Sequence, residues 1–327
     1  MLPQRKLGRS PFTVSEIGFG AWAIGSAWGA TVPQAEAEAA LHRAIDLGVN
    51  FIDTADVYGD GRSESIIGTV LKKRSERVIV ATKMGRSPGW TPDYASMEQA
   101  ARLACERLQV ENLDLIQLHC IPFSVLQQGD VFTHLEKLQE KGLIKAYGAS
   151  VESVEEGLHC IENSNCVSLQ VIFNIFRQKL ITDLFPKAES SSTGIIVRLP
   201  LSSGVLTGKF AKDHQFHPED HRSFNANGEQ FNVGETFSGI PFADSLELVE
   251  ELKSLLPLTE SQSLLDLSLR WILDHPAVST IIPGAKNPKQ AEQNLKASSL
   301  PPLSPEVHQK LNAFYSQKVA QKIRGPY

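Results

Sequence analysis

Cysteine is scarce. The four in 327 residues, Cys105, Cys120, Cys160 and Cys166, show neither CxxC spacing nor a dense framework. That argues against a disulfide scaffold and fits reduced thiols in a cytoplasm. An excess of positive charge is missing as well. Against 37 Asp and Glu stand 32 Lys and Arg, a net charge of -5, which leaves no broad electrostatic case for nucleic acid or an anionic membrane. No apolar run approaches the length of a spanning helix, and Met1-Leu2-Pro3-Gln4-Arg5-Lys6 leads into no apolar signal core. Nor does a Pro/Gly/Ser-rich linker cut the chain in two. What remains is a soluble, cytoplasmic globular protein, long enough for two average domains or one large α/β barrel.

What is present is a rhythm. Residues 4 to 14 read as a hairpin turning at Gly8-Arg9-Ser10-Pro11. Eight short apolar strands follow, at 17–20, 49–52, 77–83, 113–119, 143–150, 167–171, 194–198 and 278–282. Helical sequence follows them near 33–47, 63–73, 96–109, 128–141, 153–163, 180–190, 244–256 with 260–274, and from Pro288 onward. A terminal helix near 305–319 and a polar tail complete the order. Gly48 and Gly142 stop two of the helices, as glycine does at helix C-termini. Strand and helix alternating in this way call for a parallel sheet. At this length, eight repeats fit a closed (β/α)8 TIM barrel better than an open doubly wound sheet. One domain over residues 1–327 is the expectation. The stretch 199–241 after the seventh strand is too long for a barrel connection without function and is expected to cover a ligand.

Three strands end in chemistry. The second runs into Asp53, the third into Lys83 and the fourth into His119, with Tyr58 on the loop after the second. A buried carboxylate without a partner is costly, so Asp53 needs one. Barrel active sites sit at the C-terminal ends of the strands, which sends all four residues to one mouth. Taken singly, each is more often a polar group satisfying local backbone. Together they are the parts of a proton-transfer site.

The residues that follow carry a resemblance. Gly18-Phe19-Gly20-Ala21-Trp22, the run from Asn50 to Gly59, Thr82-Lys83 and Leu113 to His119 come first. Gly148-Ala149-Ser150, Gln170-Val171, Pro200 to Lys209 and Ile282-Pro283-Gly284-Ala285-Lys286 come later. In this order and spacing the chain resembles the aldo-keto reductases over nearly its whole length. The resemblance implies a (β/α)8 barrel that binds NADPH, less often NADH, and reduces aldehydes and ketones with Asp53, Tyr58, Lys83 and His119. Hydride delivery to a carbonyl leaves an alkoxide that needs a proton. Tyrosine is a poor acid, with a reference pKa of about 10, and an adjacent ammonium is expected to lower that value. Lys83 takes that role, Asp53 keeps the ammonium in place, and His119 orients the carbonyl oxygen.

Cofactor contacts are also implied by the resemblance. Gly20, Ala21, Trp22 and Asp53 line the nucleotide groove, and Ser150 and Gln170 hold the carboxamide. Arg198 takes the place of an aromatic ring that stacks on the nicotinamide, which a planar guanidinium can also do. Leu201, Ser203, Leu206, Gly208 and Lys209 close over the pyrophosphate. Gly284, Lys286, Gln290 and Asn294 hold the adenosine end. Val151 stands in place of the usual asparagine, so one amide contact is lost, while Gly284-Ala285 and Gln290 replace a basic and hydroxyl pair and an arginine, which weakens the 2′-phosphate site. NADP is nevertheless expected over NAD. Trp22, Trp28 and Trp90, with Tyr58, His119 and Cys120, are expected to line the pocket of a small carbonyl substrate, and no partner nucleic acid, membrane or metal is implied.

Other patterns carry less. Gly18-x-Gly20-x-x-Ala23 mimics a dinucleotide fingerprint, but no helix is expected before Pro33. Gly204 to Lys209 is one residue short of a P-loop, with Phe210 in place of the hydroxyl. His214, His217 and His221, with Asp213 and Asp220, read as a solvated loop rather than a metal site. Two further readings compete with the reductase: an NADPH-binding redox-sensing regulatory subunit with little turnover, and a lyase using Lys83 as a Schiff base. Asp53 opposes the last, because it stabilises the charged amine.

Overall fold

The structure, a computed structural model, describes residues 2–25, 31–260 and 262–327. Trp28 lies outside the described residues. The hairpin is β1 (Gln4–Lys6) and β2 (Thr13–Ser15), paired antiparallel from Gln4↔Ser15 to Lys6↔Thr13. Eight parallel strands follow: β3 (Phe19–Gly20), β4 (Phe51–Asp53), β5 (Ile79–Met84), β6 (Leu113–His119), β7 (Ile144–Ser150), β8 (Ser168–Ile172), β9 (Gly194–Arg198) and β10 (Val278–Ile281). Each pairs with its neighbour in sequence. The two ends of the sheet then meet. Ile17 bridges Ile281 and Gly20 bridges Gly284, both parallel, and Gly18 N and Gly20 N donate to Ile281 O and Pro283 O at 2.8 and 3.1 Å. The expected barrel is formed, and closure leaves no unpaired edge.

Alternation along the strands sorts the interior into layers. At the lower end, Phe51, Ile79, Ala81, Leu115, Ala146, Ile196 and Ile282 face one another, and Leu7, Phe12 and Val14 of the hairpin plug them from below. Two residues further along the same strands stand Asp53, Lys83 and Gln117, with Gln170 beside them. The opposite faces, Ile52, Val80, Ile116, Leu118, Leu169, Val171, Ile195 and Val197, pack into the core shared with the helices. An apolar floor therefore carries a polar storey.

Helices depart from expectation at particular residues. The helix expected near 128–141 is Asp130–Glu140, and an additional short helix, Phe123–Gln128, precedes it, the two meeting at Gly129 with φ +83°. The stretch near 180–190 is broken into Leu180–Asp183 and Phe185–Ser190, where Pro186 has no N–H to continue a helix. One turn, Trp22–Gly25, opens directly after β3, where no helix was expected. The terminal helix Pro305–Phe314 runs on into a π-helical turn, Tyr315–Val319. Among the described residues, no helix is long and apolar enough to cross a membrane.

The segment between β9 and the helix Phe242–Leu255 is not featureless. It holds turns at Ser202–Thr207, Val233–Glu235 and Phe237–Gly239 and a short helix, His221–Phe224. A small aromatic core supports it, with Phe216 ring centroids 5.2 Å from Phe210 and 5.1 Å from Phe242, and Phe237 5.0 Å from Phe242. The sequence pattern hides this core because its phenylalanines follow no helical or strand period.

Barrel closure gives a test. A Cβ on Gly20 would lie 2.4 Å from Ile282 O at the seam. Gly20→Ala should lower unfolding free energy by about 1–3 kcal/mol, the cost of overpacking a site that cannot yield. A thermal melt reads it, and an unchanged midpoint would show that the seam is soft.

Candidate active site

Asp53 ends β4, Lys83 is the penultimate residue of β5 and His119 ends β6, so the three strand-end groups share the upper mouth. Asp53 and Lys83 are almost wholly buried, at 2% and 1% exposure. The Lys83 ammonium donates to Asp53 Oδ2 at 2.6 Å, to Thr54 O at 2.8 Å and to Tyr58 Oη at 3.2 Å. An ammonium has three hydrogens, and here each has an acceptor. Because Lys83 donates to the phenol oxygen, the tyrosine's own proton is the one left to give away. The other oxygen of Asp53 accepts from Gln170 Nε2 at 2.6 Å and Gln117 Nε2 at 3.2 Å.

Tyr58 reaches this mouth through a tight turn. Its N–H donates to Ala55 O at 3.2 Å, and Gly59 follows at φ +66°, where a Cβ would lie 2.0 Å from Gly25 O. Only glycine fits. The Tyr58 ring stands edge-on to His119 at 6.0 Å and faces Trp22 at 6.3 Å.

Charge in the mouth departs from the sequence reading in one respect. Burial pushes the Tyr58 phenol above its usual value, Lys83 pulls it back only in part, and Asp53 adds to the rise. The expected lowering by Lys83 is therefore outweighed by desolvation. Lys83 itself is opposed by burial, but Asp53 and then Tyr58 overcome that and raise its pKa, so the amine is held charged. His119 is driven well below the ordinary imidazole value by burial, then by Arg86, Lys83 and Arg198. It is neutral, and its buried Nδ1 has no protein partner.

Beside these residues lies a charged quartet that the sequence reading did not assemble. Arg86 donates to Glu235 Oε1 at 2.6 Å, Glu235 Oε2 at 3.3 Å and Glu152 Oε1 at 3.0 Å. Arg198 donates to Cys120 Sγ at 3.4 Å and Val151 O at 3.3 Å, and its guanidinium is 3.4 Å from Glu235. Arg198 is thus tied into an ion-pair network instead of standing free to stack. Ligand atoms of Cys120, Glu152 and Glu235 lie within 4.8 Å of one another, but Arg86 and Arg198 already neutralise the carboxylates. That arrangement does not suit a cation.

A cavity of about 1600 Å³ opens above the mouth. It exceeds what a small ligand alone requires. Of the expected contacts, Gly20, Trp22, Asp53, Tyr58, His119, Cys120, Gln170, Arg198, Leu201, Ser203, Lys209, Gly284, Lys286, Gln290 and Asn294 line it. Others do not. Ala21 bonds through its N–H to Asp53 O at 2.8 Å, Leu206 is buried in the core, and Gly208 closes a turn at φ +69°. The Ser150 hydroxyl lies 3.5 Å from Cys120 Sγ. Trp90 packs against the hydrophobic core rather than the substrate space. Gln290 accepts from Lys286 N at 2.8 Å and Asn294 donates to Gly284 O at 3.1 Å, so both shape the loop that presents Lys286.

One reading of the long loop needs correction. His214, His217 and Asp213 are exposed as expected, but Asp220 and His221 are buried, each at 2%. His221 packs on Trp22 with ring centroids 4.6 Å apart. Asp220 holds Arg222 through both carboxylate oxygens, at 2.9 and 2.6 Å. Arg222 and Lys286 face the same cavity, and Lys286 is depressed by burial and then by Arg222. Two neighbouring cations on a cavity wall suit an anionic group. Spacing within the loop carried no signal for this, whereas Gln117 was reachable by stepping back two residues from His119.

Comparison with known proteins agrees with this geometry. Residues 16–316 match the model of the Aldo/keto reductase family. The chain is 30% identical to the aldo-keto reductase YhdN of Bacillus subtilis, over 85% of this chain and 83% of that one. It is 29% identical to a probable voltage-gated potassium channel subunit beta of Oryza sativa, over 96% and 97%. An aldo-keto reductase of Bacillus halodurans in its holo form superposes with a TM-score of 0.78 at 26% identity, covering 96% of each chain.

The buried pair is testable without substrate. Lys83→Met strands the Asp53 carboxylate and should cost about 3–5 kcal/mol in urea unfolding. Adding Asp53→Asn should recover part of the loss. Strict additivity of the two changes would rule out coupling between them.

Proposed function

The chain belongs to the aldo/keto reductase family, and from that premise we propose that it reduces an aldehyde or ketone to an alcohol with NADPH, Tyr58 acting as the general acid. The observation that carries the reading is the Lys83 ammonium, whose three hydrogens are committed to Asp53, Thr54 and the Tyr58 oxygen. Bound in this cavity, a nicotinamide would supply the hydride to the carbonyl carbon. Tyr58 donates its proton to the oxygen that becomes the alcohol, and Lys83 stabilises the phenolate left behind. Asp53 keeps Lys83 in position, and neutral His119 offers a hydrogen bond that orients the carbonyl. In the oxidative direction the phenolate is the base.

The residues present fit the nucleotide. The cavity has room for a dinucleotide and a small carbonyl compound together, and Lys209, Arg222 and Lys286 on its wall suit phosphate groups. The pair of cations at Arg222 and Lys286 supports NADP over NAD. Gln170 spends its amide N–H on Asp53, which leaves its carbonyl oxygen for a carboxamide. A Schiff-base role for Lys83 is opposed by its raised pKa. The likeness to a potassium channel subunit supports a second reading, a nucleotide-binding regulatory subunit with little turnover. Steady-state assay against a carbonyl panel separates the two.

Tyr58→Phe should lower turnover roughly 10²–10⁴-fold while nucleotide binding, followed by NADPH fluorescence, is retained. Undiminished turnover would refute the assignment. Dependence on pH follows from the neutral His119 and the raised phenol. With His119 held well below its ordinary value, reduction should show no inflection near 6.5. It should fall only in alkaline solution, where Tyr58 loses its proton. An imidazole-like inflection in wild-type turnover would contradict this.

A further inference from the structure

At the closed end of the barrel, opposite the mouth that holds Lys83 and Tyr58, lies a second cavity of about 680 Å³. Strand β1, the helix Leu264–Leu273, the start of β10 and the terminal helix enclose it, and they bring Arg5, Lys6, Arg270 and His308 to its lining. The two cavities share no lining residue. β10 starts at the lower one, with Val278 and Ser279, and the chain just past its end, at Ile282 and Pro283, lines the upper.

The carboxylates near the lower cavity are already spent. Glu16 accepts from Arg5 Nε and Nη2 at 3.2 and 2.9 Å on one oxygen, and from Ser298 Oγ at 2.6 Å on the other. Arg5 also donates from Nη1 to Val278 O at 2.8 Å and His275 O at 3.4 Å, and from Nη2 to Leu273 O at 2.6 Å, so all its hydrogens have acceptors. Asp274 accepts from Arg270 Nε at 2.9 Å on one oxygen, and from Leu303 N at 2.9 Å and His308 Nε2 at 3.0 Å on the other. Arg270 is different. It is only 7% exposed, yet among the described residues nothing accepts from its Nη1 or Nη2. A guanidinium so deeply set with its terminal donors unfilled is an exception in folded proteins. Lys6 is exposed, and its ammonium likewise has no partner among the described residues. Once Arg5 is set against Glu16 and Arg270 against Asp274, the charge of Lys6 is left over.

We infer that this cavity binds a phosphate group carried on a small organic molecule, held by Arg270 and Lys6. The terminal nitrogens of Arg270 form the planar fork that pairs with two phosphate oxygens, and Lys6 supplies a point charge for the third. A carboxylate has two oxygens and would leave Lys6 idle. The volume suits a whole small ligand, and Leu273 and Pro276 on the lining offer apolar surface to the part that bears the phosphate. The inference is independent of the reductase reading.

Calorimetric titration of the full chain with inorganic phosphate and with phenyl phosphate, at constant ionic strength, tests it. Both should bind, the ester more tightly. Lys6→Gln, which removes no internal contact, should weaken each about tenfold, the worth of one charged hydrogen bond. Arg270→Lys keeps a charge beside Asp274 but removes the fork, and should weaken them as much. Lys286→Gln, in the upper cavity, should leave the component that depends on Lys6 unchanged. Binding lost in Lys286→Gln and kept in Lys6→Gln would assign the phosphate to the upper cavity and overturn the inference. So would the absence of binding, or acetate binding as tightly as phosphate. Inorganic phosphate binding more tightly than the ester would make the free ion the occupant and overturn the assignment to a phosphate ester. If Arg270→Lys fails to fold, Lys6→Gln decides alone.

Discussion

One buried ion pair organises the upper half of this barrel. A charged amine and a carboxylate inside a protein cost more to desolvate than their attraction returns, unless remaining hydrogen-bonding capacity is filled. Here it is filled on both sides. Lys83 uses its hydrogens on Asp53, Thr54 and Tyr58, and Asp53 takes further donors from Gln117 and Gln170. The side chains of β4, β5, β6 and β8 are consequently interlocked at one level. Tyr58, arriving from a loop, has one oxygen position that satisfies the last hydrogen of the amine.

The barrel makes such a site affordable by separating it from the floor below. Alternate residues on each strand share the interior, so moving two residues toward the C-terminal end passes from Phe51 to Asp53 and from Ala81 to Lys83. The hydrophobic layer that holds the strands together lies beneath the ionic layer and does not have to accommodate it. Above both, the segment after β9 adds its own aromatic support and carries Asp220, Arg222 and Glu235 inward.

Much of this was legible before any coordinates. The strand–helix alternation announced a closed parallel barrel, and Asp53, Lys83 and His119 stood at strand ends in consecutive repeats. What was hidden depended on contacts between distant segments. Arg86, Glu152, Arg198 and Glu235 are separated by up to 149 positions, between Arg86 and Glu235, and nothing local marks them as a set. Asp220 and His221 look like neighbouring polar loop residues and are buried only because Trp22 covers one and Arg222 pairs with the other. The phenol's acidity was only half legible for a related reason. The ammonium was visible in the pattern, whereas the degree of dehydration around the ring was not.

The hairpin plug has a further consequence. Leu7, Phe12 and Val14 seal the lower end of the barrel with hydrocarbon, which makes the interior a vessel with its opening at the top. Of the groups bonded to the Lys83 ammonium, both Asp53 and Tyr58 line the cavity at that opening. The buried ion pair and the entrance to the sealed chamber therefore stand on the same side of the barrel.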